Sequence, residues 1–169
     1  GNSSYDWIAC DFAALSIGLR TVPIYATLLM EECGFLHVDS GAVLAICDDA
    51  AQFEKLRALR GGFTFLDTAY EASSIPLAHI VVIDPRGITP SPEWESLETL
   101  EARGERSLAD TAERRRELAA LPKREDTCTY TYTSGTTGAP KGVVQTNENM
   151  LAMLCLLYTS DAADERSSV

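Results

Sequence analysis

Apolar residues recur along this chain at two different periods, and the alternation between the two predicts its elements. Over residues 6–19, Ile8, Phe12, Leu15 and Leu19 stand at helical spacing with Gly18 near the end, which predicts a helix. A short strand is expected at Thr21–Tyr25, and Met30 to Val38 reads as a second helix that closes near Asp39-Ser40-Gly41. Ala42–Cys47 is a short unbroken apolar run, the pattern of a strand buried on both faces. Asp48 and Asp49 offer caps for a helix from about 50 to 60, ended by Gly61-Gly62. His79–Ile83 is a second buried strand, stopped by the turn Asp84-Pro85-Arg86-Gly87.

Ser91-Pro92 supplies a helix cap followed by proline at the first helical position, predicting a helix to Arg103 with Gly104 as its C-terminal cap. Trp94, Leu97 and Leu100 line its apolar side, and Trp94 is expected to be a core or surface anchor. Ser107 and Asp110 fit a capping box for one more helix, Leu108–Leu121, whose Glu113–Glu117 run reads as a solvated face. The β-branched and aromatic run Thr127 to Thr133 predicts a strand, and Val143-Val144 leads out through another. Helices alternating with apolar strands indicate an α/β fold with a largely parallel sheet flanked by helices, followed by a hairpin.

The hairpin's loop carries the candidate chemistry. Glycines at 135, 138 and 142 let the backbone turn and approach a ligand closely. Successive backbone N–H groups in such a turn form an anion-binding nest. Thr133, Ser134, Thr136 and Thr137 add hydroxyl donors, Lys141 adds a mobile positive charge, and Pro140 stiffens the chain beside it. Such a loop suits a polyphosphate, although composition alone leaves a plain polar hairpin equally open. It is not a Walker A loop, because Pro140 stands where the second glycine of that motif belongs.

The order of residues resembles, at every position, the phosphate-loop signature of the adenylate-forming superfamily. Tyr130 is followed by two spacers and then Thr133-Ser134-Gly135-Thr136-Thr137-Gly138-Ala139-Pro140-Lys141. That superfamily comprises acyl-CoA synthetases, acyl-AMP ligases, adenylation domains of peptide synthetases, and luciferases. Asn2 and Trp7, Gly18, Val22-Pro23-Ile24-Tyr25, Thr27 and Asp39-Ser40-Gly41 are similar to landmarks in the N-terminal part of long-chain fatty acyl-CoA synthetases, so the resemblance covers roughly residues 2 to 153. It implies part of the N-terminal domain of that fold, and for the parent protein two half-reactions. A carboxylate attacks the α-phosphate of ATP to give acyl-AMP and pyrophosphate, and CoA then displaces AMP to form the thioester.

In that scheme the loop N–H groups, the hydroxyls of Thr133, Ser134, Thr136 and Thr137, and Lys141 hold the β- and γ-phosphates, with Gly135 and Gly138 allowing close approach. Mg²⁺ bridges phosphate oxygens, and its protein ligand in the family lies outside this stretch. Family members often carry Leu-Thr-His after the loop, where this chain has Gln145-Thr146-Asn147. Asn147 is a neutral donor and acceptor that does not titrate near neutral pH, so the substitution leaves the acyl pocket and substrate length open. The resemblance also leaves open an acyl-AMP ligase or another carboxylic acid–CoA ligase. An alternative from a different class is a non-catalytic phosphate-binding α/β domain.

Composition narrows the partners. The 169 residues carry 46% hydrophobic and 8% aromatic content, ordinary for a globular domain. A net charge of −11 and a pI near 4.5 argue against nucleic acid as a main partner; ATP, fatty acid and CoA are the small-molecule substrates that the resemblance implies. The five cysteines show no metal-ligand spacing and read as free thiols of a reducing compartment, hence a cytoplasmic expectation. His37 and His79 are isolated and expected to be structural or solvent-facing, and no metal site is expected. No apolar run approaches the ~18 residues of a membrane span. Peripheral association of the parent with the inner membrane face is left open.

The character of the sequence changes after Met153. Cys155 to Glu165 resembles one translated frame of a transposase adapter used in sequencing-library preparation. Residues 1–154 are therefore expected to be a partial AMP-binding domain, and 155–169 an artefact, with poor order from 159 onward. The resemblance places the family's remaining parts beyond this stretch, among them a Y-G-x-T-E-like motif and a C-terminal adenylation lysine. The isolated chain is accordingly expected to be inactive.

Overall fold

The computed structural model describes residues 4–108, 112–133 and 138–164. The described elements are, in order, α1 (Tyr5–Ser16), α2 (Met30–Ser40), β1 (Leu44–Cys47), α3 (Ala50–Leu59), β2 (Phe63–Phe65), β3 (Thr68–Tyr70), β4 (His79–Val82), β5 (Glu95–Ser96), α4 (Leu97–Leu108), α5 (Ala112–Ala119), β6 (Thr127–Thr133), β7 (Lys141–Thr146) and α6 (Asn147–Asp164).

Local chemistry explains most helix ends. Ser4 accepts the Trp7 N–H at 3.1 Å to start α1, and Asp49 accepts the Gln52 N–H at 3.0 Å to start α3. At the head of α2 the Glu32 carboxylate accepts the Leu29 N–H at 2.7 Å. Its other end stops at Gly41, whose φ of +68° is the left-handed geometry that glycine adopts without penalty.

The central layer is a parallel sheet in the order β1-β4-β5. Leu44 pairs with His79 and Cys47 with Val82, while Val81 and Val82 pair with Glu95 and Ser96 on the other side. Ile80, Val81 and Val82 are essentially sealed from solvent, as expected for a strand covered on both faces. Phe53, Leu56 and Leu59 of α3 and Cys33 of α2 join Ile80 and Val82 in one core cluster. Burying each large aliphatic side chain contributes about 1.5–3 kcal/mol. Gly34 makes the contact possible: a methyl at that position would lie 2.6 Å from both Leu59 Cδ2 and Phe63 Cε1. The architecture is thus α/β with a parallel sheet flanked by helices, as the alternating pattern predicts.

Several local features differ from expectation. Thr21–Tyr25 forms no strand; Thr21 alone makes a parallel bridge, to Thr129, because Pro23 lacks the N–H that a ladder requires. The helix expected over Ser91–Arg103 begins later, at Leu97. Glu95 and Ser96 are drawn into the sheet edge, and Ser96 then caps the helix by accepting the Thr99 N–H at 3.1 Å. Gly104 lies inside α4 rather than ending it, so tertiary context overrides its weak helix propensity.

Ser107 belongs to α4, its expected capping partner Asp110 lies outside the described residues, and the helix predicted over Leu108–Leu121 is described at Ala112–Ala119. The β2–β3 hairpin, turning through Leu66 (φ +46°) and Asp67 (φ +62°), has no Asn-Gly signature and was not predicted. Finally, α6 is described from Asn147 to Asp164.

Candidate functional site

The hairpin expected around residues 134–140 is present. β6 and β7 pair antiparallel with Tyr130 opposite Val144, Tyr132 opposite Gly142 and Thr133 opposite Lys141. An irregularity at Cys128 offsets the far end, between Thr127 and Thr129. Thr131 Oγ1 donates to Gln145 Oε1 at 3.1 Å across the strands. The hairpin's base is tied to the stretch after α1: Thr21 N–H donates to Cys128 O at 2.8 Å, and Tyr130 N–H donates to Thr21 O at 2.9 Å. Thr129 Oγ1 adds a bond to Thr21 O at 3.0 Å.

This register brings two predicted site residues face to face. Thr133 and Lys141 form the last described pair, both exposed, and the chain between them spans 134–140. Gly138 has φ +119°, a region L side chains rarely enter, and a side chain there would meet open space. Its glycine therefore serves backbone conformation rather than packing. Ser134, Gly135, Thr136 and Thr137 lie outside the described residues. A hydroxyl donor opposite a cation at the mouth of a glycine-containing turn is a donor set suited to phosphate oxygens.

Asn147 opens α6 and its amide is engaged locally. Nδ2 donates to Lys123 O at 2.8 Å, and the Asn147 N–H donates to Asp126 O at 3.1 Å. Thr146 caps the same helix, accepting the Asn149 N–H at 3.2 Å while Asn149 Oδ1 accepts from the Thr146 N–H at 3.1 Å. Asn147 borders a hollow of about 290 Å³ with Pro122, Met150 and Leu151.

Two residues that pattern reading did not single out as functional meet beside the loop. Tyr132 OH donates to Asp39 Oδ2 at 2.6 Å, although the two are 93 positions apart. Burial, the hydrogen bond to Asp39 and its negative charge all push the phenol above its ordinary range, so Tyr132 keeps its proton as a donor. Asp39 had appeared only as a turn residue, and no local signal paired it with Tyr132.

His37 and four of the thiols are set by burial. His37 is 3% exposed, with Nδ1 3.4 Å from Ala42 O, and burial pushes its pKa down, favouring the neutral ring. His79 is exposed. Burial raises the thiols of Cys10, Cys33 and Cys128, and that of Cys47 is pushed up to about 12 by burial and then by Asp48 and Asp49. None of these four is poised as a nucleophile. Trp94 packs its ring on Phe53 at 5.9 Å and donates to Thr89 O at 3.2 Å, the anchor role expected of it. Among the described residues no group of three or more His, Cys, Asp or Glu gathers as a metal site, and no helix is long and apolar enough to cross a membrane.

The fold and hairpin define an α/β domain in which a hairpin sets a hydroxyl, Thr133, opposite a cation, Lys141. The chain belongs to the AMP-binding enzyme family, whose description matches residues 1–168. It is 33% identical over 147 residues to the long-chain-fatty-acid–CoA ligase FadD15 of Mycobacterium bovis, covering 87% of this chain and 21% of that ligase. The chain thus spans about a fifth of the length of this curated relative. Its fold is similar to that of the anthranilate CoA ligase AuaEII in complex with anthranoyl-AMP, with TM-score 0.57 and 23% identity over 85% of this chain and 23% of that one. The inhibitor-bound N-terminal domain of FACL13 from Mycobacterium tuberculosis matches with TM-score 0.50 and 28% identity, over 86% of this chain and 29% of that one.

Proposed function

We propose that this chain is the phosphate-loop part of an ATP-dependent long-chain fatty acid–CoA ligase. The observation that carries the reading is the hairpin register, which sets Thr133 opposite Lys141 at the mouth of a segment whose sequence fits the family's phosphate loop at every position. In the parent, a fatty acid carboxylate attacks the α-phosphate of ATP, pyrophosphate leaves, and CoA thiol displaces AMP. Reactions of this kind depend chiefly on positioning and charge stabilisation. Thr133, Ser134, Thr136 and Thr137 donate to the β- and γ-phosphate oxygens, Gly135 and Gly138 let the backbone approach them, and Lys141 offsets the charge of departing pyrophosphate. The loop offers no carboxylate, so bound Mg²⁺ would be held chiefly by the nucleotide and would supply charge neutralisation to its phosphates. Asn147 contributes near the acyl group. Residues 1–154 form part of the AMP-binding domain; the family match runs on to residue 168, but the adapter-like sequence of 155–169 supports reading that segment as foreign to it.

The test is ATP–pyrophosphate exchange by the full-length ligase. Lys141→Ala and Thr136→Ala should each slow exchange by ~10²–10³, the loss typical of removing one charge-stabilising donor, while the unfolding midpoint stays in place. Unchanged rates in both variants would sink the assignment. The 169-residue chain alone should show no exchange, and measurable turnover by it would refute that part of the reading.

A further inference from the structure

The phosphate loop sits on a hairpin that is lightly buried, and its base and its tip are held by different means. At the base, Thr21 bonds to the backbone of β6 on both sides, through Cys128 O and Tyr130 N–H. Toward the tip, Val143 and Val144 of β7 remain 48% and 56% exposed, so burial does little to hold that end. The tip has a different tether, the bond from Tyr132 OH to Asp39 Oδ2. Tyr132 immediately precedes Thr133, and Asp39 lies in the last turn of α2, the helix that packs through Gly34 onto the core.

The opposite strand is shaped around the same ring. Gly142 pairs with Tyr132, and a methyl built on Gly142 would stand 3.2 Å from Tyr132 Cζ and 3.3 Å from Cε1. Such spacing is tighter than ordinary van der Waals contact, so a side chain there would force the ring to shift. Glycine at 142 therefore leaves room for the ring pose in which the hydroxyl reaches Asp39.

We infer that Tyr132 and Asp39 are positioning residues for adenylation: their hydrogen bond fixes the mouth of the phosphate loop, and with it Thr133 and Lys141, relative to the parallel-sheet scaffold. Neither residue needs to touch the nucleotide. The bond removes one swing of the hairpin about its base, and so places the Lys141 ammonium group before ATP arrives. Small misplacements of a charge-stabilising group are costly to a reaction that depends on orientation. This inference rests on the phosphate-loop reading proposed above.

The experiment measures ATP dependence of pyrophosphate exchange in the full-length ligase for Lys141→Ala, Tyr132→Phe, Asp39→Ala, Asp39→Asn, Gly142→Ala and the Tyr132→Phe/Asp39→Ala pair. Tyr132→Phe should raise KM for ATP about tenfold with kcat within ~2-fold, the loss expected of one charge-assisted hydrogen bond that acts before chemistry. Asp39→Ala should match it, and the double variant should be no worse than either single, because both remove the same bond. Asp39→Asn should recover most of the affinity, since an amide oxygen still accepts from the phenol. Gly142→Ala should raise KM in the same direction.

Loss of exchange in Lys141→Ala with an unchanged KM in Tyr132→Phe would overturn the inference and leave the functional reading intact. Multiplicative losses in the double variant, or no recovery by Asp39→Asn, would overturn it as well. Full activity in Lys141→Ala would overturn the phosphate-loop reading, and this inference with it.

Discussion

The parallel-sheet unit and the β6–β7 hairpin are held in place by opposite means. In the sheet unit, Ile80, Val81, Val82 and Leu59 are at most 2% exposed, and position follows from close packing. In the hairpin, among the described residues only Cys128 and Thr129 are buried, and position follows from hydrogen bonds to Thr21 and Asp39. Packing creates a scaffold with little tolerance, whereas hydrogen bonds along a ribbon leave Thr133 and Lys141 at its mouth open to solvent. A site that must admit a charged ligand belongs on the second kind of element, carried by the first.

The sharpest way to break this contrast is to truncate one side chain in each region and compare urea unfolding of the chain. Leu59→Ala removes a fully buried side chain and should cost about 2–5 kcal/mol, whereas Val144→Ala on the exposed strand should stay within ~0.5 kcal/mol. Equal losses would mean that burial, not hydrogen bonding, holds the hairpin.

A smaller effect is expected at Gly34. Gly34→Ala places a methyl 2.6 Å from Leu59 Cδ2 and Phe63 Cε1, and overpacking of this kind costs about 1–3 kcal/mol, offset in part by alanine's better helix propensity. Net stabilisation in the same urea assay would show that α2 can retreat from α3 and β2.

The smallest effect concerns pH. Burial holds His37 in the folded chain below its ordinary value of 6.5, so between the two pKa values the unfolded state binds more protons. Its contribution is therefore fully present above that ordinary value and is lost as pH falls through it. Urea midpoints measured at pH ~7.5 and ~5.5 should fall with acid, and the fall should be shallower in His37→Asn, which has no titrating ring. An identical slope in the two proteins would remove His37 from the account.

How far pattern reading went depended on whether a signal was local. α2, α3 and β4 were legible because Asp49 caps and Gly41 terminates by chemistry within a few residues, and because a buried parallel strand is apolar throughout. β1 was found as a strand, but Leu44 is exposed and Ile46 half-buried, so it is not covered on both faces as its apolar run predicts. The α4 start was missed because Glu95 and Ser96 pair with Val81 and Val82, partners invisible from residues 91–104. The β2–β3 turn was missed because Leu66 and Asp67 adopt positive φ without the usual turn residues; the strands are instead closed by stacking of Phe63 on Tyr70 at 4.7 Å. Within the candidate site, Thr133, Gly138 and Lys141 could be named from their order along the chain, while Tyr132 could not.

By itself the sequence determined the kind of protein this is: alternating periods dictate an α/β layer, and an unbroken run from Thr133 to Lys141 carries the signature of the family the chain belongs to. These are properties of neighbouring residues, and neighbours are what a sequence displays. Tertiary structure decided what touches across distance. It set Thr133 opposite Lys141 by strand register, brought α2 onto α3 and β2 at Gly34, and joined Tyr132 to Asp39 across 93 positions. Such contacts form only when the burial of Ile80, Val82 and Leu59 has fixed the chain in three dimensions. No local propensity can foretell them.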